Sequence, residues 1–325
     1  FTISVAGDVG GSDYSISALT LDNVEKLFLS NFDTNSTSGQ ETVVDTGLMT
    51  GLTTVGLSSS SATGDTKFTS LKNNVDVEMR SGAGDLTLDY SGTYKVTGTA
   101  DVQKLTVSSL TGGDFVADGI ETFNINSELV KSTLNKAASD KLETVNVTGD
   151  QDLTITTALS FLGDDGTAID GTLDASAFTG KLSAGVSATS TVSVKGGTGD
   201  DTFDFAGTLT KDDVVAGGAG SDTLTMDQVG LDKEFTNISG IETVAFNKTD
   251  AAVTMDVSKL SAGVSTVQLD LKDANGANDA VTLSKVTNLG SQTVVLKKGA
   301  DDGADGNDNE GVEVKITGVT DTSAD

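Results

Sequence analysis

Apolar and polar residues alternate along this chain in short runs separated by Gly, Asp, Ser, Thr and Asn. In Ile120-Glu121-Thr122-Phe123-Asn124-Ile125 an apolar residue and a glutamate precede a stretch in which Phe123 and Ile125 fall on alternate positions. That is the period of a strand with one buried face. The same reading predicts strands at Lys26–Leu29, Val75–Met79, Leu86–Asp89, Tyr94–Thr97, Lys104–Val107, Thr122–Ile125, Glu143–Val147, Leu153–Thr156, Thr191–Val194, Thr202–Phe205 and Thr223–Met226. Further strands are predicted at Glu242–Phe246, Val253–Val257, Thr266–Leu269, Gln292–Leu296 and Val312–Ile316. Their density of Thr and Val favours strand over helix. One segment reads differently. Across Glu128–Ala138, Leu129, Val130, Leu134 and Ala137 share a helical face, and Ser127 stands where a cap belongs, which predicts a short helical insertion.

The strands repeat. Val24-Glu25-Lys26-Leu27-Phe28-Leu29 has the form of Ile120–Ile125, and the form returns at Leu142-Glu143-Thr144-Val145-Asn146-Val147 and Ile241-Glu242-Thr243-Val244-Ala245-Phe246. A coil of roughly 20 residues suits a parallel solenoid. The fold expected is all-β, a right-handed parallel β-solenoid or β-roll with short helical insertions. Tandem antiparallel β-sandwich domains are the competing reading. The repeated glutamate is either a solvated residue at a strand start or a ligand for calcium or a neighbouring subunit.

Two turns carry the clearest chemistry: Gly196-Gly197-Thr198-Gly199-Asp200-Asp201-Thr202-Phe203 and Gly217-Gly218-Ala219-Gly220-Ser221-Asp222-Thr223-Leu224. Glycines permit tight bends, backbone carbonyls offer oxygens, and the aspartates supply charge; together these suit calcium. The expected ligands are the carbonyls of Gly196, Thr198, Gly217 and Ala219 with the carboxylates of Asp201 and Asp222. Asp213 is a candidate closing ligand, and Asp200 and Asp212 are outer candidates that solvent also claims. Phe203 and Leu224 should point into the core. Metal-free glycine turns in a β-protein are the other reading.

Organisation beyond this is soft. Residues 1–160 form a Ser/Thr-rich region, 161–190 an irregular coil or junction, and 191–325 a region holding the glycine-aspartate turns. Leu162–Asp170, with Asp164, Asp165 and Asp170, reads as an insertion loop. Ala300–Glu310 reads as an acidic loop that is either solvated or a calcium site. Phe1-Thr2-Ile3-Ser4-Val5 has neither a positive region nor an initiating methionine. It is not expected to be a signal peptide, and the chain is expected to begin inside a longer product or after a cleavage.

Composition narrows the function. The chain has 48 acidic and 20 basic residues among 325, a net charge of -28. Such a field repels nucleic acids and anionic membranes and attracts divalent cations. Histidine, cysteine, proline and tryptophan are all missing. Ser-His-Asp and cysteine chemistry, zinc-thiolate sites and disulfides are thereby removed. No apolar run is long enough to span a bilayer as a helix, so no membrane insertion is expected.

The residues Gly196–Phe205, Asp212–Met226, Ile238–Val244 and Leu173-Asp174-Ala175-Ser176-Ala177-Phe178-Thr179-Gly180 resemble the repeats-in-toxin class of secreted proteins. More closely, the chain is similar to calcium-dependent surface-layer proteins of alphaproteobacterial type. Only some 50 residues carry the specific motifs, and two turns are fewer than toxin-like members have. The resemblance implies a secreted protein at the bacterial cell surface. It further implies calcium as the bound ion and copies of the same chain as partners in a lattice or filament. A cell-surface polysaccharide is a further implied partner, through a region outside or at the end of this chain. An extracellular adhesin or matrix filament is the first alternative. A β-helix polysaccharide-active enzyme is the second, with Asp164–Asp165 or Asp212–Asp213 as nominal pairs. Adjacent strand residues face opposite ways, and Arg80 is the only arginine, so no catalysis is expected.

Overall fold

A computed structural model of the chain describes residues 1–7, 13–33, 41–90, 96–163, 166–187, 189–227, 235, 237–246, 263–271, 280–284, 293–298 and 313–317. Among them the chain is all-β, and every strand pair between sheet neighbours is parallel. The first sheet has 11 strands, from Thr2–Gly7 and Lys26–Asp33 through Thr122–Ser127 and Thr144–Gly149 to Val214–Ala216 and Ile238–Ser239. A six-stranded sheet runs from Tyr14–Ile16 to Lys136–Ala138, and an eight-stranded sheet from Ser132–Leu134 to Thr293–Lys298. Ala280–Ser284 and Glu313–Thr317 pair as a fourth, separate sheet. From Thr2–Gly7 to Thr243–Phe246, successive strands of one sheet are separated in sequence by a strand of another, so the chain winds as a parallel β-solenoid.

Register makes the core. In the first sheet, Leu27, Val55, Val77, Leu105, Ile125 and Val147 stand one above another in successive coils. In the eight-stranded sheet the column is Leu134, Ile155, Ala184, Phe203, Leu224, Val244 and Val267. All of these residues are buried. Each strand contributes only two or three inward side chains, too few to bury a core alone; stacking at about 4.8 Å per coil makes the core continuous. Phe115 of the six-stranded sheet meets Phe123 of the first sheet, with ring centroids 5.3 Å apart. Coil length is not fixed: 20 residues separate Val102 from its partner Thr122, and 28 separate Lys26 from Thr54. The excess is carried in corners and in a small loop where Leu162 bridges Ala168. The first sheet passes through Gly171–Phe178, with a register shift against Thr144–Gly149, and on to Val192–Lys195, so the strands Gly171–Phe178 and Leu182–Ser187 within 161–190 belong to the stack.

The expected helical insertion at 128–138 is not formed. Ser132–Leu134 and Lys136–Ala138 are strands, and within this one coil the six-stranded sheet ends and the eight-stranded sheet begins. Leu129 and Val130, half of the supposed apolar face, are exposed at 68 % and 48 %. Ser127 is buried and caps nothing. The physical reason is the neighbouring coils. Asp114–Ala117 and Leu153–Ser160 offer unpaired ladder groups on either side, and a helix between them would leave those groups unsatisfied. Leu129 instead takes a left-handed corner (φ 63°), as Ser59, Ser81 and Ser109 do in the preceding coils.

On the outer face, Arg80 donates to Glu78 at 2.8 Å, and Glu78 also accepts from Lys26 at 2.8 Å. Of the other predicted strands, Val253–Val257 lies outside the described residues. Tyr94–Thr97 lies partly outside them, and Val96 and Thr97 are not in a strand.

Candidate metal centre

The two glycine-aspartate turns lie at one corner of successive coils. They lead from the first sheet into the eight-stranded sheet, and they stack directly. Ala219 N–H donates to Gly197 O at 3.0 Å. Register pairs Thr202 with Thr223 and Thr223 with Thr243, which aligns Asp201, Asp222 and Glu242 in a column at the strand starts. Asp201 and Asp222 are fully buried, and Phe203 and Leu224 beside them point into the core, as the alternation requires.

Each carboxylate in this column holds the coil before it. Asp201 Oδ1 accepts Leu182 N–H at 2.8 Å, and its Oδ2 accepts Gly197 N–H of its own turn at 2.8 Å. Asp222 Oδ1 accepts Asp201 N–H at 2.7 Å, and Glu242 Oε2 accepts Asp222 N–H at 2.8 Å. At the preceding seam the direction is reversed: Asp152, one register position outside the column, reaches forward, its Oδ1 accepting Lys181 N–H of the next coil at 2.9 Å. The column is thus a series of charge-assisted hydrogen bonds across the coil seams. The glycines are needed for close approach. A Cβ on Gly196 would stand 2.7 Å from Asp201 Oδ2, and one on Gly217 would stand 2.6 Å from Asp222 Oδ2. Gly218 also has φ 107°, a conformation that β-branched residues do not reach.

Electrostatics separates the two aspartates. Burial raises the Asp201 carboxyl, against the lowering effect of its two N–H donors. Asp222 is pushed up to about 6, first by burial and then by the neighbouring Asp201 and Glu242 charges. Asp222 Oδ2 is buried and has no hydrogen-bond donor. A buried anionic oxygen without a partner is costly, and a cation would relieve it. This orphaned oxygen, in a cradle that any side chain at Gly217 would fill, fits calcium. Asp222 would be the first residue to hold such an ion, and the expected partners Asp201 and the turn carbonyls of Gly196, Thr198, Gly217 and Ala219 belong to the same stacked corner. No group of three or more acidic side chains converges for a metal among the described residues, so the carbonyls would have to supply much of the coordination.

The other candidates are placed differently. Asp213 lies at the opposite corner, separated from Gly217 by the strand Val214–Ala216. Both its oxygens accept backbone N–H groups, from Val192 and from Thr210. Asp212 is exposed and paired with Lys211 at 2.6 Å. Asp212 and Asp213 therefore do not converge as a dyad, and Asp164–Asp165 lies outside the described residues. Asp200 is exposed and accepts Ser221 N–H at 2.8 Å. Glu242 completes the column. The sequence signal that finds it is an acidic residue one position before a strand, recurring at the coil spacing.

The differing surroundings give a direct test. Asp201→Asn puts an amide donor against an N–H donor, because both Asp201 oxygens already accept. A loss of about 1–3 kcal/mol is expected. Asp222→Asn can turn its amide toward the unpartnered side and should be near neutral or stabilising without metal. Urea unfolding of both variants in chelator reads the difference; equal losses would overturn this account.

No family model matches the chain, and no curated protein and no solved structure matches it either.

Proposed function

We propose that this chain is a structural subunit of a secreted, calcium-dependent, self-assembling bacterial surface layer. One observation carries the reading: carboxylates, two of them fully buried, close the seams of a parallel solenoid that bears a net charge of -28. In such a molecule a divalent cation does two things. It neutralises carboxylates inside the fold, and it lowers the repulsion between equally acidic copies. The partners are copies of the same chain arranged laterally or end to end, with cell-surface polysaccharide contacted by a region outside or at the end of this chain. The work of the protein is regular association rather than turnover, and its place is the outside of the cell.

Binding of calcium to the folded form alone raises stability through linkage. Chelation should therefore both lower the melting temperature and disperse any assembly. Scanning calorimetry and electron microscopy, with calcium and with chelator, check this. A two-dimensional lattice in calcium supports the surface layer; dispersed rods point to an adhesin, and one-dimensional fibres to a matrix filament. An unchanged melt and unchanged particle size in chelator would sink the proposal.

A further inference from the structure

The repeated glutamates singled out in the sequence do not behave alike. Glu25 and Glu143 are exposed. Glu242 and Glu121 each reach back one coil to an aspartate exactly 20 residues earlier. Glu242 Oε2 accepts Asp222 N–H at 2.8 Å, and Glu121 Oε2 accepts Asp101 N–H at 2.7 Å. The two pairs lie in different walls. Asp222–Glu242 opens strands of the eight-stranded sheet, whereas Asp101–Glu121 opens Val102–Leu110 and Thr122–Ser127 of the first sheet. No glycine-aspartate turn is near the second pair in sequence.

The resemblance extends to what is missing. In both pairs the aspartate Oδ2 is buried without a hydrogen-bond partner. In the Asp101–Glu121 pair the glutamate Oε1 is also buried and unpartnered, and Glu121 itself is only 2 % exposed. Neither residue has a lysine or arginine within ion-pair distance among those the structure records. Two carboxylates from adjacent coils thus each present a buried oxygen with no donor, and buried polar atoms are rarely left without a partner. We propose that Asp101 and Glu121 bind a hard divalent cation of the calcium class, at a site separate from the glycine-aspartate turns. Hard cations select carboxylate oxygens, and one divalent ion balances this pair. The ion would tie the coil beginning at Val102 to the coil beginning at Thr122.

The decisive measurement is an anomalous difference map from crystals of the whole chain soaked in terbium, with calcium as competitor. The expected result is a peak in contact with Asp101 Oδ2 and Glu121 Oε1, at about 2.3–2.6 Å, reduced by excess calcium. A water, or no density, between these oxygens overturns the proposal. The same map reads the Asp222 corner independently, so failure of either site is told apart from failure of the other. A second arm uses melting in an Asp222→Asn background. Adding Glu121→Gln keeps an acceptor for Asp101 N–H and removes one charge. It should raise the melting temperature in chelator and shrink the increment that calcium gives. An identical calcium increment with and without Glu121→Gln also overturns the assignment.

Discussion

Gly217→Ala is expected to destabilise the protein by about 3–5 kcal/mol, near the top of the range for single substitutions. The new Cβ would stand 2.6 Å from Asp222 Oδ2 and still closer to the carbonyl oxygen of Gly240. Neither neighbour can retreat. Gly217 N–H is bonded to Ser239 O at 2.9 Å, and Asp222 is tied to Asp201 at 2.7 Å. Relief requires opening the seam between these coils, which breaks the carboxylate column and uncovers Leu224. The control is Gly207→Ala. A Cβ there meets nothing within 4 Å, and the change should be neutral or slightly stabilising. Urea unfolding gives the magnitudes, and hydrogen exchange across 182–246 should show the Gly217 loss concentrated in those coils. A Gly217→Ala protein as stable as Gly207→Ala would refute the packing argument.

In chelator, this acidic protein is expected to be more stable near pH 5 than near pH 7.5. Asp85 and Asp222 are each raised to about 6, and Glu41, Asp65, Asp118 and Asp201 are raised as well, in every case chiefly by burial. An unfolded aspartate titrates near 3.9. Between these values the folded chain holds protons that the unfolded chain has released. The stability these groups contribute is therefore complete below about pH 4 and lost as pH rises through about 6. Discounted for partial exposure and screening, Asp85 and Asp222 together should give about 2 kcal/mol between the two conditions. Two groups are shifted downward. Glu78 is held down by Lys26 and Arg80 in spite of its burial, and Asp174 by Ser176 and Lys195. Their contribution is present above the unfolded value and falls only in stronger acid, so it does not reverse the trend. Saturating calcium should flatten the profile, because the ion replaces the protons. Denaturant midpoints at the two pH values, with and without calcium, check this; stability that rises with pH in chelator would overturn it.

Much of the fold could be read from alternation, because strands such as Thr122–Ser127 bury every second residue without a break. The shorter walls were harder. Thr42–Asp45, Thr66–Thr69 and Asp114–Ala117 have four residues each, and Thr42 and Thr66 occupy inward positions. So brief a run with a polar residue inside shows no period. Gly171–Phe178 hid for another reason. A register shift against Thr144–Gly149 leaves Ser176 and Ala177 both exposed, which breaks the alternation. The segment at 128–138 misled because helical spacing and two short strands share apolar positions at Leu134 and Ala137, and only the neighbouring coils decide between them. The stacked corner was legible where glycine marked it, at Asp201 and Asp222. Glu121 and Glu242 were visible as a repeat, but their reach to Asp101 and Asp222 was not. That contact spans a whole coil, and no turn residue announces it.

The all-parallel register also determines how the molecule would bear force. Within a coil the links are covalent, whereas between coils they are hydrogen bonds and stacked side chains, aligned with the direction of stacking. Tension along that direction loads the seams in series, so the weakest seam yields first and the others keep their shape. A released coil of 20 to 28 residues would extend by roughly 70–90 Å, in place of the ~4.8 Å it occupied. Carboxylates that grip the N–H groups of the preceding coil stand at the seams where such yielding begins. Neutralising them would set the force at which the chain gives way, and would make its toughness a function of the ions around it.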